Sequence, residues 1–228
     1  MSPLTARTSV SGENLWACGE ATVPHPAGPQ AASPELLELM KRVGFNADVC
    51  TPDSGSDTML ANLRKGFTAS HVSRAAASAR EIGLPVLWTF LLGGPGENEQ
   101  TVRETVGFME RALGPQDRIL CTVGLRVYPG TDLERIAVEQ GVVPAEWDPL
   151  EPTFYLSREV APERILDLLE GSSRSAQVIH LHALQQPLVA WALRLHSVLH
   201  LPHPAWSAVP LYNRLRRLLG RGRINLTV

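Results

Sequence analysis

The stretch PVLWTFLLGGPGENEQTVRETVGFME, residues 85–110, is the part of the sequence that decides the fold class. Residues 85–92 are continuously apolar and rich in β-formers, a pattern typical of a strand buried on both faces. The glycines of 93–97 predict a tight turn, and 99–113 has the apolar spacing of a helix. A strand, a turn and a helix in this order predict one βα unit of a parallel sheet.

The same alternation extends on both sides of this unit. The pattern predicts further strands at 47–50 and 118–128. It also predicts a helix that Ser33 caps and Gly44 ends, two helices that end at Gly66 and Gly83, and a helix that runs through Glu139. After Asp148 the alternation stops, and the sequence predicts helices at 161–171, 175–201 and 208–220. The predicted fold class is therefore α/β, with a mostly helical C-terminal tail.

Composition narrows the function classes. The 228 residues include 21 Lys+Arg and 23 Asp+Glu, a net charge of -2 that argues against a general nucleic-acid partner. A hydrophobic fraction of 44% excludes a disordered chain, and no apolar run reaches the length of a membrane span. The N-terminus lacks an apolar signal region, and the basic segment 212–224 is expected to pack on the body rather than on a membrane surface. We expect a cytoplasmic protein.

Three turns are the candidate ligand-binding segments, because parallel sheets bind ligands at the carboxyl ends of their strands. In 93–97, Gly93, Gly94 and Gly96 allow a ligand to approach the backbone and Glu97 supplies a carboxylate; the alternative is an ordinary tight connection.

The other two turns also have two interpretations. Asp53, Ser54 and Ser56 contact ribose hydroxyls or a carboxylate, or else they cap the following helix. Arg126 and Tyr128 lie near the end of a strand, where the arginine either binds a carboxylate or forms a structural salt bridge.

The sequence has no set of Cys or His residues with the spacing that a metal site usually needs. Cys18, Cys50 and Cys121 are far apart, whereas a cluster or zinc loop usually has two ligands close together, so buried free thiols are expected. His196 and His200 are four residues apart but lack a nearby acidic partner, and we predict no metal site.

Taken in order, several segments resemble the distal part of a radical S-adenosylmethionine enzyme, most closely the subgroup that often carries an added cobalamin-binding domain. The segments are SPELLELMKRVGF, DSGSD, LRKGFT, LPVLWTFLLGGPGENEQTVRETVGFME, GLRVYPGTDLERIAVEQGVV and LEPTFYLS. The resemblance covers residues 33–157 and implies a partial (β/α) barrel there. It leaves 1–32 as an irregular segment with a predicted strand at 13–19, and 158–228 as a helical region.

The resemblance also implies a cofactor set. Family members hold a [4Fe–4S] cluster with a C-x3-C-x2-C loop, which this sequence lacks, so neither the cluster nor cobalamin is expected to be ligated by this chain. We expect an amino-truncated or split enzyme whose missing N-terminal half or partner chain carries the cluster, acting on a small-molecule substrate. The alternative is a non-enzymatic remnant or binding module.

By resemblance, the remaining part is the distal wall of the S-adenosylmethionine site, with residual affinity. Asp53, Ser54 and Ser56 would lie near the ribose and methionine, with Lys65 close to the same rim. Gly93, Gly94, Gly96 and Glu97 would lie near the adenine. Arg126 and Tyr128 belong to the segment that approaches the adenine, where Arg126 would meet a carboxylate or the substrate.

Overall fold

The computed structural model describes residues 29, 32–45, 47–144, 146–180, 206, 210 and 213. The strand predicted at 13–19 and the helices predicted beyond 180 lie outside these residues. The helices are α1 Pro34–Arg42, α2 Asp57–Asn62, α3 Ala69–Ile82, α4 Glu99–Ala112, α5 Asp132–Glu139 and α6 Pro162–Gly171, with a 3-10 turn at Ser175–Gln177. The strands are β1 Asp48–Asp53, β2 Val86–Leu92, β3 Arg118–Val123, β4 Leu125–Arg126, β5 Phe154–Tyr155 and β6 Val178–His180.

Four strands form a parallel sheet in the order β1-β2-β3-β6. Helices connect them, so the α/β class with repeated βα units is confirmed. The described strands form an open sheet. β4 and β5 pair antiparallel in a separate two-stranded ribbon.

The central strand shows why the sheet is stable. Trp88, Phe90 and Leu92 alternate along β2 and are each at most 1% exposed, because they point into the main core beneath the helices. Leu87 points to the opposite face, where it packs with Ala47, Ile179 and Trp206. Both faces of β2 are thus covered near its start, as its continuous apolar run predicts.

Helix starts follow the sequence signals closely. The Ser33 hydroxyl accepts a hydrogen bond from the Leu36 amide, and Pro34 is the first residue of α1, as predicted. Asn98 caps α4 by accepting from the amides of Gln100 and Thr101. The part of the chain that the structure describes contains no helix with the length and apolarity needed to cross a membrane.

Two predicted elements are wrong in part. The strand predicted over 118–128 breaks at Gly124, whose φ of +89° ends the parallel ladder and sends the chain into β4. The helix predicted to begin at 175 is instead a 3-10 turn followed by β6, because residues 178–180 pair with β3 in the main sheet. Short apolar segments of this length carry no period that separates a strand from a helix.

Candidate functional site

The three candidate turns meet at one edge of the sheet. β1, β2 and β3 run parallel and end at Asp53, Leu92 and Val123, so the segments that follow them lie side by side. We call this region, with the loop 63–68, the carboxyl edge. The ion pair between Arg64 and Asp132, 2.5 Å between Nη1 and Oδ2, joins that loop to the start of α5. The prediction that these turns follow the carboxyl ends of parallel strands is correct.

Asp53 and Lys65 form a partly buried ion pair at the end of β1. Lys65 Nζ donates to Asp53 Oδ2 at 2.6 Å, and the two side chains are 24% and 17% exposed. Burial raises the pKa of the Asp53 carboxyl above its usual value, and the neighbouring ammonium offsets that only in part. Asp53 also has a φ of +69°, an uncommon conformation for a residue other than glycine. Such a strained backbone is often found at functional sites.

Ser54 and Ser56 point their hydroxyls towards α4. Ser54 Oγ lies 2.9 Å from Thr105 Oγ1, which also accepts from the amide of Gly55 at 3.2 Å. The Ser56 hydroxyl donates to Glu104 Oε2 at 2.5 Å. Both serines are 1% exposed. Their predicted ribose contacts stay a prediction, and the structure shows them fastening the turn after β1 to α4.

Glu97 is also directed into the protein. Its Oε2 accepts from the amides of Gly93, at 2.5 Å, and Gly94, at 3.2 Å, and the residue has no exposed surface. Burial raises the pKa of the Glu97 carboxyl, and the two amide hydrogen bonds counteract this. The carboxylate therefore closes the turn after β2 by satisfying two amides that would otherwise be buried without an acceptor.

The glycines of this turn are needed for internal reasons. A Cβ on Gly94 would lie 3.3 Å from the Met59 methyl and 3.5 Å from Leu125 Cδ2, so the space beside it is filled by the protein itself. Gly93 has a φ of +89° and Gly96 one of +76°, which few other residues adopt. Their predicted role near an adenine remains a prediction.

Arg126 and Tyr128 differ from the other candidates because they face outwards. Both are exposed, Tyr128 by 54%, so Arg126 is not a buried charge at the end of a strand. The salt-bridge interpretation is also wrong for the described residues, since no ion pair among them includes Arg126. Its guanidinium instead lies over the Tyr128 ring, 5.1 Å from the centroid.

Sequence reasoning missed four contributors. Thr105 and Glu104 of α4 hold the serine turn, and Phe108 packs so closely on Gly55 that a Cβ there would lie 2.5 Å from Phe108 Cβ. Phe154, opposite Arg126 in the β4–β5 ribbon, is 38% exposed. The apolar spacing of 99–113 predicts α4, but the side chains of Thr105 and Glu104 have partners about 50 residues away in the sequence.

The described cysteines do not fit a [4Fe–4S] cluster. Cys50 lies on β1 and Cys121 on β3, with β2 between them, which separates them by roughly 10 Å across the sheet. Burial, with smaller contributions from the carboxylates of Asp48 and Asp53, raises the pKa of the Cys50 thiol to about 12. Burial likewise raises the pKa of Cys121. Both thiols stay protonated at neutral pH, whereas iron binds thiolate.

We therefore predict that the chain alone, reconstituted with iron and sulfide, will hold much less than a full cluster per chain. Iron analysis and the charge-transfer absorbance of a cubane cluster would measure this. The triple variant Cys18→Ala, Cys50→Ala, Cys121→Ala is the control and should behave like the unaltered chain. Near-stoichiometric iron that disappears in the triple variant would show that the prediction is wrong.

Comparisons with known proteins agree on one family. Residues 19–109 match the family model described as the Radical SAM superfamily. The fold is similar to that of the radical S-adenosylmethionine methyltransferase TsrM from Kitasatospora setae with cobalamin and a [4Fe-4S] cluster bound, with a TM-score of 0.63 and 18% identity, over 86% of this chain and 44% of that one. The same enzyme with tryptophan substrate and a SAM analogue gives 0.61 and 17%, over 85% and 46%. No curated protein sequence matches at a significant level.

This chain spans less than half the length of those TsrM chains. At such low identity the likeness concerns the fold, an α/β arrangement that agrees with the parallel sheet and the carboxyl edge described above. The family match adds the sequence evidence. Residues 19–109 thus match the Radical SAM superfamily model, and the described fold is similar to that of radical S-adenosylmethionine methyltransferases.

Proposed function

We propose that this chain forms the distal wall of an S-adenosylmethionine site in a radical SAM enzyme of the methyltransferase type. The observation that carries the proposal is the Asp53–Lys65 pair at the end of β1, the ion pair of the carboxyl edge whose two side chains are both partly buried among the described residues. The family match and the fold shared with TsrM support it. When bound, S-adenosylmethionine would supply the methyl or deoxyadenosyl group for the reaction.

The two side chains suit the cofactor chemically. A carboxylate such as Asp53 accepts hydrogen bonds from neighbouring hydroxyls, as the two of a ribose would offer. The Lys65 ammonium has three donors and gives one to Asp53, which leaves donors for a ligand carboxylate. Lys65 also lies 5.8 Å from the centre of the Phe67 ring, which favours a fixed position of the charge.

The turns behind this pair keep it in place. The backbone at Asp53 is held because the next three residues are bonded to α4, and the turn after β2 is closed by Glu97. Rigid support of this kind lowers the conformational cost of binding a ligand. In this account Ser54, Ser56 and Glu97 position the site, while Asp53 and Lys65 contact the cofactor.

The cluster has to come from elsewhere, because the described cysteines cannot converge on it. We propose a cluster-bearing segment or partner chain, with cobalamin as the further cofactor by analogy with the TsrM structure. Within the described residues β1 pairs on one side only, with β2, so its other edge has unpaired backbone groups that an added strand would satisfy. The second candidate function is a binding module without catalysis, which the missing C-x3-C-x2-C sequence favours.

Calorimetry with S-adenosylhomocysteine tests the cofactor proposal. We expect a dissociation constant on the order of 1 mM, and about tenfold weaker binding for Asp53→Asn and for Lys65→Met, since each loses a charged hydrogen-bonding group. Arg64→Gln is the matched control, because Arg64 neighbours Lys65 in the same loop but is paired with the exposed Asp132. It should bind like the unaltered chain.

Two outcomes would contradict the proposal. One is the absence of binding by the unaltered chain, and the other is binding that Asp53→Asn and Lys65→Met leave unchanged. Gly94→Val is a poor test here, because its side chain would collide with Met59 and Leu125 whether or not a ligand binds beside it.

A further inference from the structure

Three outward-facing side chains in and next to the β4–β5 ribbon form a surface that takes no part in the proposed cofactor site. Arg126 and Phe154 are directly paired across the ribbon, and Tyr128 follows Arg126 by two residues. Their neighbours Leu125, Val127 and Tyr155 are each at most 8% exposed. Alternation along a strand therefore places Arg126, Tyr128 and Phe154 on the opposite, solvent-facing side. We call these three residues the aromatic platform.

The platform is joined to the carboxyl edge. The amide of Gly124, which precedes β4, donates to the carbonyl of Leu92 at 2.7 Å, and the amide of Ser157, which follows β5, donates to the carbonyl of Gly93 at 2.8 Å. A Cβ on Gly124 would lie 3.4 Å from Phe154 Cβ. A molecule on the platform would thus lie beside the ends of β2 and β3.

Arg126 has no acidic partner among the described residues, although acidic side chains follow closely in the sequence. Asp132 is paired with Arg64, Glu134 accepts from the Gly130 amide at 2.7 Å, and Glu139 is paired with Arg135. No described side chain forms an ion pair with Arg126. Its guanidinium stacks on Tyr128, an arrangement that leaves the planar edge of N–H donors available for a carboxylate.

The platform is also rigid. The Thr131 hydroxyl donates to the Tyr128 carbonyl at 2.7 Å, and the Thr131 oxygen caps α5 by accepting from the Glu134 amide at 3.2 Å. Opposite, the Val127 amide donates to the Thr153 carbonyl at 2.8 Å. The Tyr155 hydroxyl beneath it donates to Gln140. Because its backbone is held in this way, the platform loses little freedom when a ligand binds.

We infer that the aromatic platform binds the substrate, and that the substrate class is a small aromatic carboxylate. The carboxylate pairs with the free N–H edge of Arg126, and the flat apolar part lies against Tyr128 and Phe154. Both halves of such a ligand are complementary to what the platform exposes, one by charge and the other by apolar contact. The inference rests on the proposed function only where it calls this ligand the substrate. The binding itself requires neither the cofactor nor Asp53 and Lys65.

Ligand-observed NMR with three probes, without any S-adenosyl compound present, tests the inference. The probes are 3-phenylpropionate, the neutral 3-phenylpropanol with the same ring, and propionate with the same charge but no ring. We expect 3-phenylpropionate to bind with a dissociation constant of a few mM, and each of the other two about tenfold more weakly. Equal binding of the neutral alcohol, or no binding of 3-phenylpropionate, would overturn the inference.

Variants locate the binding. Arg126→Gln should weaken 3-phenylpropionate about tenfold, and Arg126→Lys nearly as much because an ammonium lacks the planar fork. Tyr128→Leu and Phe154→Leu should each weaken it several-fold. Arg74→Gln on α3 is the control and should change nothing, since Arg74 is an exposed arginine away from the ribbon. All four substituted positions are exposed, so melting temperatures should stay unchanged. Platform variants that bind like the unaltered chain would overturn the inference.

Failure of this test and failure of the cofactor test are distinguishable. Suppose that S-adenosylhomocysteine binds through Asp53 and Lys65, while substitutions of Arg126 do not change the binding of 3-phenylpropionate. In that case the aromatic carboxylate class is wrong and the cofactor site stands. If the reverse holds, the platform stands as a carboxylate site and the cofactor proposal falls.

Discussion

Replacing Gly55 by alanine is expected to destabilise the chain by about 3 kcal/mol, at the upper end of what overpacking a core usually costs. The added Cβ would lie 2.5 Å from Phe108 Cβ and 2.6 Å from Phe108 Cγ. These atoms are at the base of the side chain, so Phe108 cannot move away by changing rotamer. Either α4 shifts from the sheet or the turn after β1 does, and both movements break the hydrogen bonds at Thr105. Urea unfolding measures the change.

Gly171→Ala is the control for this substitution. Gly171 ends α6 and has nothing within 4 Å of the position of an added Cβ, so alanine there should be neutral or stabilising by about 0.5 kcal/mol. A Gly55→Ala variant as stable as the unaltered chain would show that the turn after β1 is not held tightly against α4.

The second large effect is expected for Glu97→Leu, at about 4 kcal/mol of lost stability. Leucine has a similar size but no acceptor, so the amides of Gly93 and Gly94 would be buried without a partner, at about 1–3 kcal/mol each. Thermal or urea unfolding measures the loss.

Glu97→Gln separates the hydrogen bonds from the charge. Both amides donate to one oxygen, Oε2, and a glutamine carbonyl in that position accepts both. We expect a loss of about 1 kcal/mol or less, because the substitution also removes the cost of burying a charge. Equal, large losses for both variants would mean that the carboxylate charge, rather than its role as an acceptor, is what the turn requires.

Short-range patterns predicted most of the fold. The apolar run of β2, the cap at Ser33 and the turn glycines act within a few residues of themselves, so they can be read from a single sequence. Gly124 was recognised only as part of a strand, because its φ of +89° reflects the β4–β5 pairing with residues 30 positions later. β6 was missed because a three-residue strand is defined by its partner, β3.

The candidate site was also predictable only in part from the sequence. Its location at the ends of β1, β2 and β3 followed from the parallel βα order. The direction of each side chain did not, since Ser54, Ser56 and Glu97 are turned inwards by partners on α4 and in the backbone, while Arg126 faces solvent. Hydrogen-bond partners 50 residues apart leave no local trace in the sequence.

The most direct test of the account is an amide chemical-shift map of the ¹⁵N-labelled chain titrated with S-adenosylhomocysteine. We predict shifts at residues 53–56, 63–68, 93–97 and 124–128, all on the carboxyl edge. We predict none at the cavity of about 430 Å³ between α1 and the end of α3, which is lined by Pro34, Glu38, Lys41, Arg42, Glu81 and Ile82. Shifts confined to that cavity, or no saturable shifts at all, would contradict the claim that the carboxyl edge binds the cofactor.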